Sequence, residues 1–329
     1  DKTIQYGATI TTPQGNGSFP AVILITGSGQ QNRDEEIAGH KPFAVIADHL
    51  TRKGFIVLRV DDRGVGQSTG EVNAATSLDF YADVSAGIDY LKSRKETDKR
   101  RIALIGHSEG GMIAQMQAAQ RKDIAAIVLL AAPGISGADV LIEQNKEYFT
   151  VAGLPKDHVA KYIELYSLLM EEAKRQSNPD SVKAQVKRQV EDWVQRTPNN
   201  IVVATTGIMN EKRKAEFIEQ FSATLSNPWI QYFIHYNPKE YIERISCPVF
   251  ALNGSKDIQV ISTSNLSAIE DALKKSRTKD YQTKEYDGLN HLFQKCKTCT
   301  TNEYTVLDET ISVEVLADIA TWLTSKLRL

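Results

Sequence analysis

Cysteine is scarce in this chain: Cys247, Cys296 and Cys299 are the only three in 329 residues. That number excludes a disulfide-held scaffold. Cys296-Lys-Thr-Cys299 leaves a local disulfide, a redox pair and two free thiols open, and a structural zinc site would need two further ligands of similar kind. Long apolar runs are missing too. The longest, such as Ala125 to Ala132, fall far short of the roughly 20 residues that a membrane-spanning helix requires. Charge of one sign is also lacking. The formal net charge is -2 with no extended basic run, so neither nucleic acid nor an anionic membrane surface is an expected partner. Internal repeats and low-complexity segments are absent, which argues against solenoids and disordered linkers. The chain starts at Asp1 rather than methionine. With Pro13-Gln-Gly-Asn-Gly17 close behind, the expectation is a processed or trimmed product, exported in preference to cytoplasmic.

What is present is an alternation. Seven segments read as strands: Ile4 to Thr11, Ala21 to Thr26, Phe55 to Val60, Arg101 to Gly106, Ile124 to Ala131, Val249 to Asn253 and Lys279 to Tyr286. Several are nearly continuous apolar runs, the pattern of parallel strands buried on both faces. Helical patterns separate them at Phe43 to Lys53, Tyr81 to Arg94, Gly111 to Lys122, Ser262 to Lys275 and Val313 to Leu327. This order predicts an α/β fold with a doubly wound, mostly parallel sheet. The alternation stops across 134–245. That stretch is rich in Lys, Glu and Gln, has helical spacing at Val159, Tyr162, Ile163, Tyr166 and Leu169, and is punctuated by Pro155, Pro179, Pro198, Pro228 and Pro238. The expected organisation is a core of 1–133 and 246–329 with a helical cap inserted at 134–245, laid over the carboxyl ends of the strands where open α/β sheets bind ligands.

Gly106-His107-Ser108-Glu109-Gly110 lies between an apolar strand and a helix. In that context Gly-x-Ser-x-Gly marks a tight turn that lifts a nucleophilic serine above the sheet, at a helix N-terminus that favours negative charge. The glycines let strand and helix approach closely. Serine alone is a poor nucleophile, so a base and an orienting acid must follow, in the order acid then histidine. Asp257 stands just past the strand that ends at Asn253, and His291 just past the strand that ends at Tyr286. Asp257 could equally cap a following helix. His291 competes with His40, His49, His107, His158 and His235, and alone combines the right order with the right strand end. Oxyanion stabilisation needs two backbone N–H groups. The expected donors are Glu109, next after the nucleophile, and Ser28 in Gly27-Ser-Gly-Gln-Gln31, with Gly29 as second choice. Trp229, Tyr232, Phe233 and Tyr236 fall at i, i+3, i+4 and i+7 and read either as packing inside the cap or as the wall of an acyl or aryl pocket.

The chain resembles the α/β-hydrolase superfamily, and more narrowly the bacterial serine carboxylesterases with a helical cap. The residues that carry the likeness are Thr26-Gly-Ser-Gly-Gln-Gln-Asn-Arg-Asp-Glu35, Gly39-His-Lys-Pro-Phe43, Asp61-Asp-Arg-Gly-Val-Gly-Gln-Ser-Thr-Gly70, Gly106-His-Ser-Glu-Gly-Gly111 and Leu289-Asn-His-Leu-Phe293. Thr26 departs from the pattern, since many such hydrolases carry histidine there. The resemblance implies an esterase with a Ser108–His291–Asp257 triad, a small-molecule ester as substrate, and neither metal nor organic cofactor. It also implies that the Asp61-Asp62-Arg63 loop braces the core through ion pairs, with Asp34 and Glu35 in a similar role. Short-chain or aryl esters are favoured, because the cap offers no evident pair of basic residues for a charged headgroup. A thioesterase or a peptidase would use the same triad. A silent binding protein on the same fold is the rival outside catalysis.

Overall fold

The computed structural model describes residues 3–327. Seven strands form one sheet: β1 (Ala8–Thr11), β2 (Phe19–Ile25), β3 (Ile56–Val60), β4 (Thr97–His107), β5 (Ala126–Leu130), β6 (Val249–Gly254) and β7 (Tyr281–Tyr286). Their order is β1-β3-β2-β4-β5-β6-β7. Only β1 runs antiparallel, pairing β3 at one edge; every other pairing is parallel. The expected mostly parallel sheet is therefore present.

The apolar runs are continuous because successive residues of each strand feed opposite layers. Val22, Leu24, Ala103, Ile105, Val128 and Leu130 pack with α1 (Pro42–Arg52) and α12 (Val313–Leu327), through Phe43, Ile46, Val315 and Ile319. Their neighbours Ala21, Ile23, Ile25, Ile102, Leu104, Ile127 and Leu129 pack on the other side. That layer is built by α2 (Ser77–Ser93), α3 (Glu109–Gln120) and α11 (Ser262–Lys275), through Ile88, Leu91, Ile113, Ile269 and Leu273. The strand order reverses between β2 and β4, the place where this class of sheet opens a crevice at its carboxyl ends.

The chain divides into two compact units, Asp1–Ile135 with Asn237–Leu329, and Ser136–Tyr236. The second is wholly helical: α4 (Gly137–Val151), α5 (Lys156–Arg175), α6 (Pro179–Arg196), α7 (Asn199–Thr206), α8 (Glu211–Leu225) and α9 (Pro228–His235). It has a core of its own around Leu165, Leu169, Val186, Val190 and the fully buried Trp193, whose indole N–H donates to the Lys161 carbonyl at 2.9 Å. Each proline read as punctuation begins a helix, as the cap residue at Pro155 and Pro198 or inside the first turn at Pro179, Pro228 and Pro238, where a missing N–H costs nothing. At its base the Gly137 N–H donates to the Tyr236 carbonyl at 3.1 Å.

This unit is narrower than the expected 134–245. α10 (Pro238–Ile242) belongs with the sheet, because Ile242 and Ile245 are fully buried in the layer that holds α3 and α11. The cysteine question is also answered in part. Cys296 and Cys299 are joined as a disulfide, while Cys247 is a free thiol whose pKa burial pushes up to about 12. Among the described residues no helix is long and apolar enough to cross a membrane.

Candidate active site

The end of β4 carries Ser108 into the turn that opens α3. Its φ of 54° and ψ of -119° are unusual for a residue with a Cβ. Main-chain bonds enforce them: Ser108 N–H donates to the Leu130 carbonyl at 2.8 Å, and the Ser108 carbonyl accepts from Gly111 and Met112. Gly106 and Gly110 are needed because a Cβ on Gly106 would lie 2.1 Å from the Gly110 carbonyl oxygen, and one on Gly110 would lie 2.1 Å from the Ile25 oxygen. Glu109 is the first residue of α3, with its buried carboxylate held by the Ser77 hydroxyl.

Asp257 stands in the turn after β6. Its Oδ1 accepts from the Gln259 and Val260 amides at 2.8 and 2.9 Å, which aims Oδ2 at His291 Nδ1, 2.7 Å away. Both side chains are buried. Asp257 is not the cap of α11, whose cap position is Ile261. His291 sits in the loop after β7, which Asn290 ties by accepting from the Leu292 and Gln294 amides. A carboxylate only accepts, so the Nδ1 proton belongs to His291, and in the neutral ring this tautomer carries its lone pair on Nε2. The His291 ring lies 4.6 Å, centroid to centroid, from that of His107, the residue before Ser108.

Ser28 and Gly29 are exposed in the loop after β2, with Gly29 at φ 101°. Asp62 brackets this loop: its carboxylate accepts from the Thr26 hydroxyl at 2.7 Å and from the Gln31 amide at 3.0 Å. Gly27 N–H donates to Glu35 Oε1 at 2.6 Å. The charged residues thus brace as expected, but with partners more distant in sequence. Asp61 pairs with Arg33, Arg63 with Asp79 and Asp83, and Asp34 with Arg59. The bracketing by Asp62 and the pairing of Glu35 with His107 were not foreseen from sequence; Thr26 in place of histidine was the available signal for the first.

Trp229, Tyr232 and Phe233 lie on α9 and Tyr236 caps its C-terminus, all in the helical unit. Trp229 and Phe233 stack at 5.1 Å, and Phe233 and Tyr236 are buried. Among the described residues no three His, Cys, Asp or Glu side chains gather in a way that could hold a metal ion.

Asp62 carries a pH dependence. Burial raises its carboxyl to about 7; the Thr26 and Gln31 hydrogen bonds oppose that rise, and Glu109 and Glu35 add to it. The ordinary value, and that of the unfolded chain, is 3.8. The folded state therefore holds this proton more tightly. Its stabilising contribution is complete below about 4 and is lost as pH rises through about 7. Asp62→Asn is expected to gain stability relative to wild type over that window. Urea midpoints of both proteins at about pH 4 and about pH 8 check this, and a difference that stays constant or shrinks with pH contradicts it.

Comparison with known proteins identifies the fold. The sequence model of the alpha/beta hydrolase fold matches residues 20–295. Esterase EstD of Thermotoga maritima is 34% identical over 170 residues, which span 52% of this chain and 39% of that protein, so the match covers well under half of the relative. Two solved structures share the fold at low identity. An esterase of Pyrococcus furiosus is 17% identical with a TM-score of 0.56, over 98% of this chain and 92% of the other. A proline iminopeptidase of Mycobacterium smegmatis is 17% identical with a TM-score of 0.55, over 99% and 96%.

Proposed function

Because the chain belongs to the alpha/beta hydrolase family, we propose that it is a serine hydrolase that cleaves carboxylic esters through an acyl-enzyme on Ser108. The observation that carries this reading is the buried 2.7 Å contact between His291 Nδ1 and Asp257 Oδ2, on loops after β7 and β6, with the His291 ring 4.6 Å from that of His107, the residue before a serine held at φ 54°. Its esterase relative supports the choice of ester over other acyl compounds.

In this mechanism His291 Nε2 takes the Ser108 proton as the hydroxyl oxygen attacks the acyl carbonyl. Asp257 holds the tautomer and stabilises the imidazolium. The tetrahedral oxyanion is held by the Glu109 N–H and by a donor from the loop after β2. Gly27 N–H is committed to Glu35, so Ser28 is the first candidate there and Gly29 the second. His291 then protonates the leaving alcohol, and water hydrolyses the acyl-enzyme with His291 again as base. Short-chain or aryl acyl groups are the proposed substrates.

Hydrolysis of p-nitrophenyl esters from acetate to decanoate, beside matched anilides, tests this. The expected profile peaks at short chains with anilides far slower, and Asp257→Asn is expected to lower kcat by roughly 10³ to 10⁴. A preference for anilides would move the reading to an amidase or peptidase. Full activity in Asp257→Asn would remove Asp257 from the triad.

A further inference from the structure

Glu35 and His107 form a buried pair that the proposed chemistry does not use. Glu35 is 1% exposed and adopts a φ of 50°, in a turn where the Asn32 carboxamide oxygen accepts from the Asp34 and Glu36 amides. Its Oε1 receives the Gly27 N–H at 2.6 Å and faces His107 Nδ1 at 2.9 Å. The other ring nitrogen, Nε2, lies 3.0 Å from the His291 carbonyl oxygen. Pro42, Phe43, Ile46, Leu130, Phe293 and Ile311 wall the pair with apolar surface. Two side chains thus tie three segments together: the loop after β2, the residue that precedes Ser108, and the loop that carries His291.

The protons follow from what each partner can do. A carbonyl only accepts, so Nε2 carries a hydrogen. Nδ1 faces an oxygen that already accepts from Gly27, so it carries one too. Imidazolium and carboxylate together give every donor a full acceptor. Burial by itself lowers the His107 pKa; the charge and hydrogen bond of Glu35, the His291 carbonyl and the charge of Asp257 outweigh burial and raise it. The charged and titratable groups that face the pair are Asp257 and His291 on the His107 side and Asp62 on the Glu35 side.

We infer that Glu35 and His107 are positioning residues: a charged strut that sets the loop after β2 and the His291 loop against the nucleophile turn. Its kinetic consequence rests on the ester hydrolysis proposed above; its existence does not. Glutamine has the size of glutamate but cannot keep all three links. In Glu35→Gln, a neutral His107 that donates from Nδ1 to the carboxamide oxygen has no hydrogen for the His291 carbonyl. One that donates from Nε2 needs the carboxamide NH₂ at Nδ1, which turns the oxygen away from its shared position. One link breaks without any change of volume.

The test combines a spectrum with kinetics. In ¹⁵N-histidine-labelled wild type at neutral pH, both His107 ring nitrogens are expected to be protonated; in Glu35→Gln one is not. Glu35→Gln is expected to lose kcat by about tenfold or more with KM within about twofold, because misplaced loops hurt the transition state more than substrate binding. Labelling of Ser108 by a fluorophosphonate is expected to slow in parallel. A singly protonated His107 in wild type overturns the strut, as does a Glu35→Gln enzyme with wild-type kcat and labelling rate. If that variant does not fold, the wild-type spectrum alone decides. If wild type neither hydrolyses esters nor labels at Ser108, the functional proposal falls while the spectrum still rules on the strut.

Discussion

Ser108→Ala is expected to lower kcat for ester hydrolysis by roughly four orders of magnitude or more, and to leave the protein folded. The first part follows from the proposed mechanism, in which no acyl-enzyme forms without the hydroxyl. The second follows from the way the turn is held. Every bond that fixes Ser108 in this conformation is made by its main chain, to Leu130, Gly111 and Met112. Alanine keeps the Cβ and those bonds. Ser108→Gly is expected to be equally inactive but more stable than wild type by up to about 1 kcal/mol, because glycine takes a positive φ without strain. Initial rates on p-nitrophenyl acetate, with denaturant midpoints for the three proteins, check both parts. Residual activity within tenfold of wild type would sink the nucleophile assignment.

Gly110→Ala is expected to cost about 3 kcal/mol or more, a large share of the stability of an ordinary domain. The added Cβ would stand 2.1 Å from the Ile25 oxygen and 2.6 Å from the Thr26 oxygen. Both atoms belong to backbone held in the sheet or at its end, so neither can swing aside as a side-chain tip would. α3 would have to withdraw from β2 and carry the nucleophile turn with it. Gly207→Ala is the control. Gly207 ends α7 at φ 69° with open space around it, so alanine there meets only backbone strain, about 1 kcal/mol. Urea denaturation of the two variants gives the contrast directly. A Gly110→Ala protein no less stable than Gly207→Ala would mean that the close approach of α3 to β2 is not as described.

Much of the core was readable because two-sided burial leaves a plain mark. Val22 and Leu24 serve one layer while Ala21, Ile23 and Ile25 serve the other, so the strand appears as an unbroken apolar run. Ends were less readable. α2 was expected from Tyr81 but starts at Ser77, because its first turn is organised by Thr76 and Asp79, polar residues that carry no apolar period. α8 was missed as a separate start, since Asn210 caps it with no proline to announce it. At the candidate site, Ser108, Asp257 and His291 were singled out by their order and their places past strand ends, and the structure pairs Asp257 with His291. The residues around them did not. Glu35 meets His107 across 72 positions, and a charge cluster read along the chain does not reveal that Asp61 would pair with Arg33 rather than with Arg63. Partner choice among charges is a property of the folded surface, which local pattern does not encode.

The hydrogen bond from Gly137 to Tyr236 has a consequence for how such a protein can change over time. A segment that leaves and returns at one point is a closed excursion. The entropy of closing such an excursion grows only with the logarithm of its length, so shortening or lengthening it by a factor of two shifts that cost by about 0.6 kcal/mol. The roughly hundred residues between these two form a cassette with its own core, open to exchange for another helical set while β5 and β6 keep their register. Recombination at Ser136 and Tyr236 would exchange that helical set at the point where it closes on itself.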